Sequence, residues 1–138
     1  MKKIIFLILF IIPFVSLLAQ DSTKVNPPKI ITKLKVGNTV NFNTTSIKFL
    51  KVIEDSRCPS DVTCIWAGQV KIAIGIYKSE VLIEEKELLF GTDGINPNHI
   101  KEVLKIDQKT VYSYNISPYP SAKTPIIPSE YYLQLLIK

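Results

Sequence analysis

The amino-acid sequence predicts an all-β fold, a two-sheet antiparallel β-sandwich of the immunoglobulin-like type with roughly six to eight strands and at most one short helix. From residue 30 onward, apolar residues tend to recur at every second position, which is the period of half-buried strands. β-Branched and aromatic residues dominate these segments, and turn-forming residues separate them at short spacing. A small closed β-barrel is the alternative that the same pattern allows.

Residues 69–77 and 131–137 give the clearest strands, because each has one continuous apolar face. In the first segment that face consists of Val70, Ile72, Ile74 and Ile76. In the second it consists of Tyr131, Leu133, Leu135 and Ile137. Side chains alternate between the two faces of a strand, so both apolar faces are expected in the core.

Four further segments have strand character, at residues 39–43, 46–54, 81–90 and 111–116. The apolar parity of 46–54 changes near Phe49, which predicts burial on both faces or a β-bulge there. In 111–116 the alternation places Tyr112, Tyr114 and Ile116 on one face. Residues 78–80 have the length of a hairpin loop.

Residues 98–104 are the one helical candidate, with a competing strand interpretation at 103–106. Residues 118–128 hold four prolines and therefore predict a loop or an edge crossing.

Residues 1–19 have the organisation of a cleavable secretory signal peptide. A short cationic start is followed by an apolar run of about fifteen residues, which is less than the roughly 20 that a membrane-spanning helix needs. Cleavage after Ala19 is preferred, but Leu17 at the −3 position is not small, so an uncleaved signal anchor is the alternative. No cysteine lies near this point, and no lipid attachment is expected.

The predicted organisation is thus a signal peptide at 1–19, an exposed leader at 20–29 and a single β domain at 30–138. We expect an exported protein, periplasmic or secreted, that is soluble, carries no lipid and does not span a membrane after cleavage. Loss of the signal peptide lowers the formal net charge from +5 to +3, because it removes Lys2 and Lys3. With one arginine and scattered lysines, nucleic-acid binding is not expected.

Residues 55–68 are the most distinctive segment, because they contain both cysteines, the single tryptophan and the single arginine. In an oxidising compartment Cys58 and Cys64 predict a disulfide that stabilises by about 2 to 2.5 kcal/mol. In a structural interpretation, Trp66 packs over the bridge or the sheet, and Arg57 forms an ion pair with Asp55 or Asp61 or donates hydrogen bonds to loop carbonyls. In a functional interpretation, the loop presents Arg57, Asp61 and Trp66 to a partner.

This segment resembles an uncharacterised family of small exported bacterial proteins that share Asp-Ser-Arg-Cys-Pro followed by Cys-x-Trp-Ala-Gly. The match covers residues 55–68, and Ser-Pro-Tyr-Pro at 117–120 resembles a weaker second signature of the same group. The resemblance implies export and lends no activity, ligand or cofactor.

No catalytic, metal or cofactor site is predicted. His99 is the single histidine, and it lacks both an obvious orienting carboxylate and a nucleophile elbow. Residues 93–98 are rich in oxygen ligands but do not follow the calcium-loop register. The acidic run of Glu84, Glu85 and Glu87 is interrupted by Lys86 and indicates a solvated strand face. Five late tyrosines are expected to pack on the sheets, with a carbohydrate or peptide surface as the alternative; they are Tyr112, Tyr114, Tyr119, Tyr131 and Tyr132.

The sequence therefore predicts a non-catalytic exported domain that binds an envelope protein, a peptide or a glycan. A small exported enzyme or inhibitor, and a purely structural envelope protein, are the alternatives. A thiol-redox role is disfavoured, because five residues separate the cysteines and a strand follows them.

Overall fold

The computed structural model describes residues 30–91 and 100–138, and in them the chain forms eight strands and one short 3₁₀ turn. The strands are β1 (Ile30–Lys35), β2 (Thr39–Phe42), β3 (Thr45–Asp55), β4 (Val70–Lys78), β5 (Val81–Phe90), β6 (Lys101–Ile106), β7 (Lys109–Ser117) and β8 (Tyr132–Ile137). The 3₁₀ turn is Pro128–Glu130. The predicted all-β class and the upper limit of the predicted strand number are confirmed.

The strands form two antiparallel sheets of four, in the orders β1-β8-β7-β6 and β2-β3-β4-β5. The two-sheet sandwich is therefore confirmed. Strand β1 pairs with β8, and every other pair consists of strands that follow one another along the chain. This connectivity differs from that of an immunoglobulin domain, whose strands are joined by Greek-key connections. A closed barrel would need β1 to pair with β2 and β5 with β6, and the described strands form neither pair.

Antiparallel pairing separates the connections into two ends of the sandwich. Tight turns at residues 43–44, 79–80 and 107–108 lie at one end. The long connections 56–69, between β3 and β4, and 118–131, between β7 and β8, lie at the other, which we call the loop end. The two segments singled out in the sequence for their cysteines and their prolines are thus neighbours in space.

The core lies between the sheets and contains the apolar faces that the sequence pattern indicates, except for Ile137, which is only partly buried at the end of β8. Val70, Ile72 and Ile74 of β4 share one buried cluster with Leu133 and Leu135 of β8 in the opposite sheet, and Ile76 is buried as well. The predicted irregularity near Phe49 is a register shift between Phe49 and Lys51, and it leaves Phe49 completely buried.

Two predictions about secondary structure are wrong in detail. Ile116 does not share a face with Tyr112 and Tyr114, because a register shift between Ser113 and Asn115 turns Ile116 into the core, to which Val111 of the same strand also belongs. A bulge reverses the parity of every later residue in its strand. The helix at 98–104 is contradicted where it is described, because β6 begins at Lys101, so the strand interpretation of this segment is confirmed.

Several predictions fall on residues 1–29 and 92–99, outside the described part of the chain. They are the signal peptide, the leader, the oxygen-rich loop at 93–98 and His99. Among the described residues, no helix is long and apolar enough to cross a membrane.

Candidate functional site

Residues 56–69, which we call the stapled loop, prolong the β3–β4 hairpin beyond the sheet. The Ser56 amide donates to the Gln69 carbonyl at 2.8 Å, and the Cys58 amide donates to the Ala67 carbonyl at 2.8 Å. The predicted disulfide between Cys58 and Cys64 is present and closes the loop above these two bonds. The chain beyond the sheet is therefore held by both backbone pairing and a covalent bridge.

Gly68 is required by the close approach of the two arms of this loop. Its φ of +73° lies in the left-handed region that side chains disfavour. A Cβ atom at this position would also overlap the backbone carbonyl of Ser56. The glycine of the Cys-x-Trp-Ala-Gly motif thus has a structural explanation.

Arg57 lies beneath the stapled loop and is only 7% exposed. Its Nε donates to Asp55 Oδ1 at 2.8 Å, and its Nη2 donates to Asp55 Oδ2 at 2.6 Å. The remaining bonds go to the carbonyls of Ile116 at 3.1 Å and Pro118 at 2.9 Å. The ring of Tyr119 lies against the guanidinium, with 4.9 Å between Arg57 Cζ and the ring centroid. The prediction that Arg57 pairs with Asp55 and bonds loop carbonyls is confirmed, and presentation of Arg57 to a partner is not supported by this burial.

Tyr131 completes this buried cluster, because its hydroxyl donates to Asp55 Oδ2 at 2.8 Å. Burial acts to raise the pKa of the Asp55 carboxyl, but the hydrogen bonds and charge of Arg57, with the bond from Tyr131, hold that pKa below its ordinary value. The pKa of Tyr131 is raised to about 12. Burial is the largest cause, and the hydrogen bond to Asp55 and the negative charge of Asp55 add to it. We call Asp55, Arg57 and Tyr131 the anchor.

Asp61 connects the stapled loop to the proline-rich loop beside it. Its carboxylate accepts from the Ala122 amide at 2.7 Å and from the Ser121 hydroxyl at 3.0 Å. The Ala122 bond is the largest cause of a pKa below the ordinary carboxyl value. The Ser60 amide adds a bond to the Pro120 carbonyl at 3.0 Å. Both oxygens of Asp61 are thus occupied within the protein, although the residue is exposed.

Trp66 points into solvent with 82% of its surface exposed, and Ile65 beside it is 94% exposed. The structural interpretation, in which Trp66 packs over the disulfide or the sheet, is therefore wrong. Val62 on the same loop is about half exposed. We call residues 62–67 the tip, and it contains no charged side chain.

Ile65 is the residue that the sequence analysis missed. It occupies the variable position between Cys64 and Trp66, and an isoleucine before a β-strand is normally expected in a core. Nothing in the local pattern indicates its exposure, which follows from the outward course of the stapled loop.

The other candidates do not form a site in the described residues. Glu84, Glu85 and Glu87 are exposed on β5, in agreement with a solvated strand. Within residues 30–91 and 100–138, no group of three or more His, Cys, Asp or Glu side chains could hold a metal ion. Tyr112 and Tyr132 pack on the outer surface of their sheet under Lys138 and Lys33.

No protein-family model, curated protein or solved structure matches the chain. The resemblance to small exported bacterial proteins therefore stays a prediction, carried by residues 55–68. Of the conspicuous residues in that segment, Arg57, the cysteines and Gly68 each have a role in the fold, and Trp66 has none.

Replacement of Arg57 by methionine is expected to lower the free energy of unfolding by about 3 to 5 kcal/mol, because it leaves the Asp55 carboxylate buried without its cation. Lys71→Met is the matched control, since Lys71 reaches Glu87 only in an exposed pair at 3.7 Å. That control should cost less than about 1 kcal/mol. Urea unfolding of both variants checks the prediction, and equal losses would contradict it.

The anchor also predicts a difference in alkaline stability between the wild type and Tyr131→Phe. The Tyr131 pKa of about 12 in the folded protein exceeds the ordinary value of about 10. The stabilisation linked to this group is therefore complete below about pH 10 and is lost as the pH rises towards 12. The stability advantage of the wild type over Tyr131→Phe should shrink across this interval, as measured by urea unfolding at a series of pH values. A constant difference would show that Tyr131 does not titrate as described.

Proposed function

We propose that this protein is an exported, non-catalytic binding domain that docks on an apolar surface through Ile65 and Trp66. The observation that carries the proposal is the nearly complete exposure of these two adjacent side chains on a disulfide-closed loop. Large apolar side chains lose their contact with water at a favourable free energy when a partner covers them. Tryptophan is also enriched among the residues that dominate binding interfaces.

The stapled loop is suited to binding because its conformation is fixed before contact. The disulfide, the backbone bonds at the base of the loop and the Asp61 contacts to Ser121 and Ala122 all restrain it. A rigid binding element avoids much of the conformational entropy that a flexible loop would lose on association. The fold therefore presents Trp66 and Ile65 in a conformation that loses little further entropy when a partner binds.

The composition of the tip favours an apolar partner surface over a glycan, one of the three partner classes predicted from the sequence. Sugar recognition needs polar groups that pair with hydroxyls, in addition to an aromatic ring. Residues 62–67 have no charged or amide side chain, and Asp61 already bonds to the neighbouring loop. Arg57 is buried in the anchor and is not offered to a ligand.

Export is part of the proposal and has two supports. Residues 1–19 have the pattern of a signal peptide. The Cys58–Cys64 disulfide is of the kind that persists in oxidising compartments outside the cytoplasm.

The proposal predicts that the double variant Ile65→Ala, Trp66→Ala binds the cell-envelope fraction at least about tenfold more weakly than the wild type, because it removes both exposed side chains. The matched control is Val81→Ala, Ile83→Ala. Val81 and Ile83 lie at the start of β5 and are 63% and 61% exposed. The control should bind as the wild type does.

Cosedimentation of purified exported protein with the envelope fraction, measured over a range of protein concentrations, gives the affinities. Circular dichroism should show the same thermal midpoint for both double variants to within a few degrees, since none of the four side chains lies in the core. Unchanged binding by the tip variant, or an equal loss in the control, would contradict the proposal.

A further inference from the structure

We infer that the apolar surface bound by the tip is the interfacial layer of a lipid bilayer, so that Ile65 and Trp66 attach the domain to a membrane from its surface. This inference rests on the proposed function and specifies the partner of the same site. It depends on the shape of the tip, its composition and the position of the nearest charged groups.

The tip is a small projection and not a broad patch. Its most exposed residues, Ile65 and Trp66, are adjacent in the chain and lie beyond the ends of β3 and β4. One aromatic side chain buries about 150 to 250 Å². A stable protein interface needs roughly 800 Å² from each partner, usually with a polar rim. A bilayer surface requires no matching contour and can receive a projection of this size.

The chemistry of the tip matches the boundary between lipid and water. Tryptophan is enriched at this boundary, where its ring contacts acyl chains and its N–H group remains near polar headgroups. Ile65 supplies an aliphatic side chain beside it, and Val62 a second that is about half exposed. The six residues 62–67 carry no charge, so contact with lipid would remove no ionised group from water.

Asp61, the acidic residue that directly precedes the tip in the chain, is hydrogen-bonded to the neighbouring loop. Both oxygens of Asp61 accept hydrogen bonds from Ser121 and Ala122 on the neighbouring loop, and Asp55 is enclosed by Arg57 and Tyr131. Lys123 lies exposed on that same neighbouring loop. Asp61 stays ionised and Lys123 carries the opposite charge, so the two offset each other near the tip, and the formal net charge of +3 after loss of residues 1–19 favours anionic lipid.

The depth of insertion is limited by the backbone. An irregular loop cannot enter the hydrocarbon core, because its peptide groups need hydrogen-bond partners that lipid does not supply. The geometry thus corresponds to contact at the headgroup level by two side chains on a rigid loop. Such contact is reversible and distinct from a membrane span.

Trp66 is the single tryptophan of the chain, so its fluorescence reports directly on the tip. The wild-type exported protein is mixed with vesicles of phosphatidylcholine alone and of phosphatidylcholine with phosphatidylglycerol. We expect a blue shift of the emission and protection from acrylamide with both, at lower lipid concentration for the anionic vesicles. Lipids brominated on the acyl chains near the headgroup should quench the emission more than lipids brominated near the chain ends.

Ile65→Ala keeps the fluorophore and is expected to raise the lipid concentration at half-binding at least about fivefold, because it removes aliphatic carbons from the contact. Ile65→Asp should abolish binding. Ile83→Ala, at an exposed position on β5, is the control and should bind as the wild type does. Any contribution of residues 1–19 is common to all variants and does not affect these comparisons.

Binding to protein-free vesicles that depends on Ile65 would support the inference. The inference would be overturned if vesicles do not bind while the envelope binds through the tip and loses this binding after protease treatment. That result would identify a protein partner, and the proposed function would stand. If neither vesicles nor envelope bind the tip, both proposals are wrong.

Discussion

The loop end of this sandwich depends on the buried guanidinium of Arg57. Asp55 ends β3 in one sheet, whereas the Ile116 and Pro118 carbonyls lie at the end of β7 and just beyond it in the other. Arg57 bonds to all three, and Tyr131 closes the cluster by donating to Asp55. Burial of two ionised groups is unfavourable unless their hydrogen bonds are satisfied. The described structure contains no buried side-chain nitrogen or oxygen atom without a hydrogen-bond partner. Because its bonds reach both sheets, the cluster fixes the base of the stapled loop relative to them.

Much of the fold could be predicted from the sequence because burial on one face of a strand leaves a period of two in the pattern. Residues 69–77 show it most clearly, and β4 occupies almost the same positions. The irregularity near Phe49 was visible for the same reason, as a change of parity. The bulge in β7 was not, because Tyr112, Tyr114 and Ile116 alternate regularly in the sequence, although the register of β7 with β8 shifts between Ser113 and Asn115. Strand order is equally hidden, since the sequence pattern does not specify which strands pair.

The candidate site was only partly predictable. Two cysteines in one short segment indicated the disulfide, and an arginine near Asp55 indicated the ion pair. The hydroxyl of Tyr131 is 76 positions from Asp55 in the chain, and their contact depends on how one sheet packs on the other, because Asp55 ends β3 and Tyr131 precedes β8. Exposure of Trp66 is one of the two interpretations that its motif allows, whereas exposure of Ile65 has no sequence signature, because apolar residues beside a strand normally pack inward. The stapled loop therefore has two separate properties. Its base is rigid because of the anchor and the disulfide, and its tip is apolar and exposed.

The proposed binding site depends on the exposure of Trp66, which can be measured by fluorescence of the native protein without any partner. As the single tryptophan, Trp66 accounts for the indole emission of the whole chain. Because 82% of the surface of Trp66 is exposed, we expect the emission maximum of the folded protein to be nearly equal to that of the protein unfolded in urea. Acrylamide should quench the two states with similar efficiency. A clearly blue-shifted native emission, protected from acrylamide, would show that the indole is covered within the domain and would contradict its display at the tip.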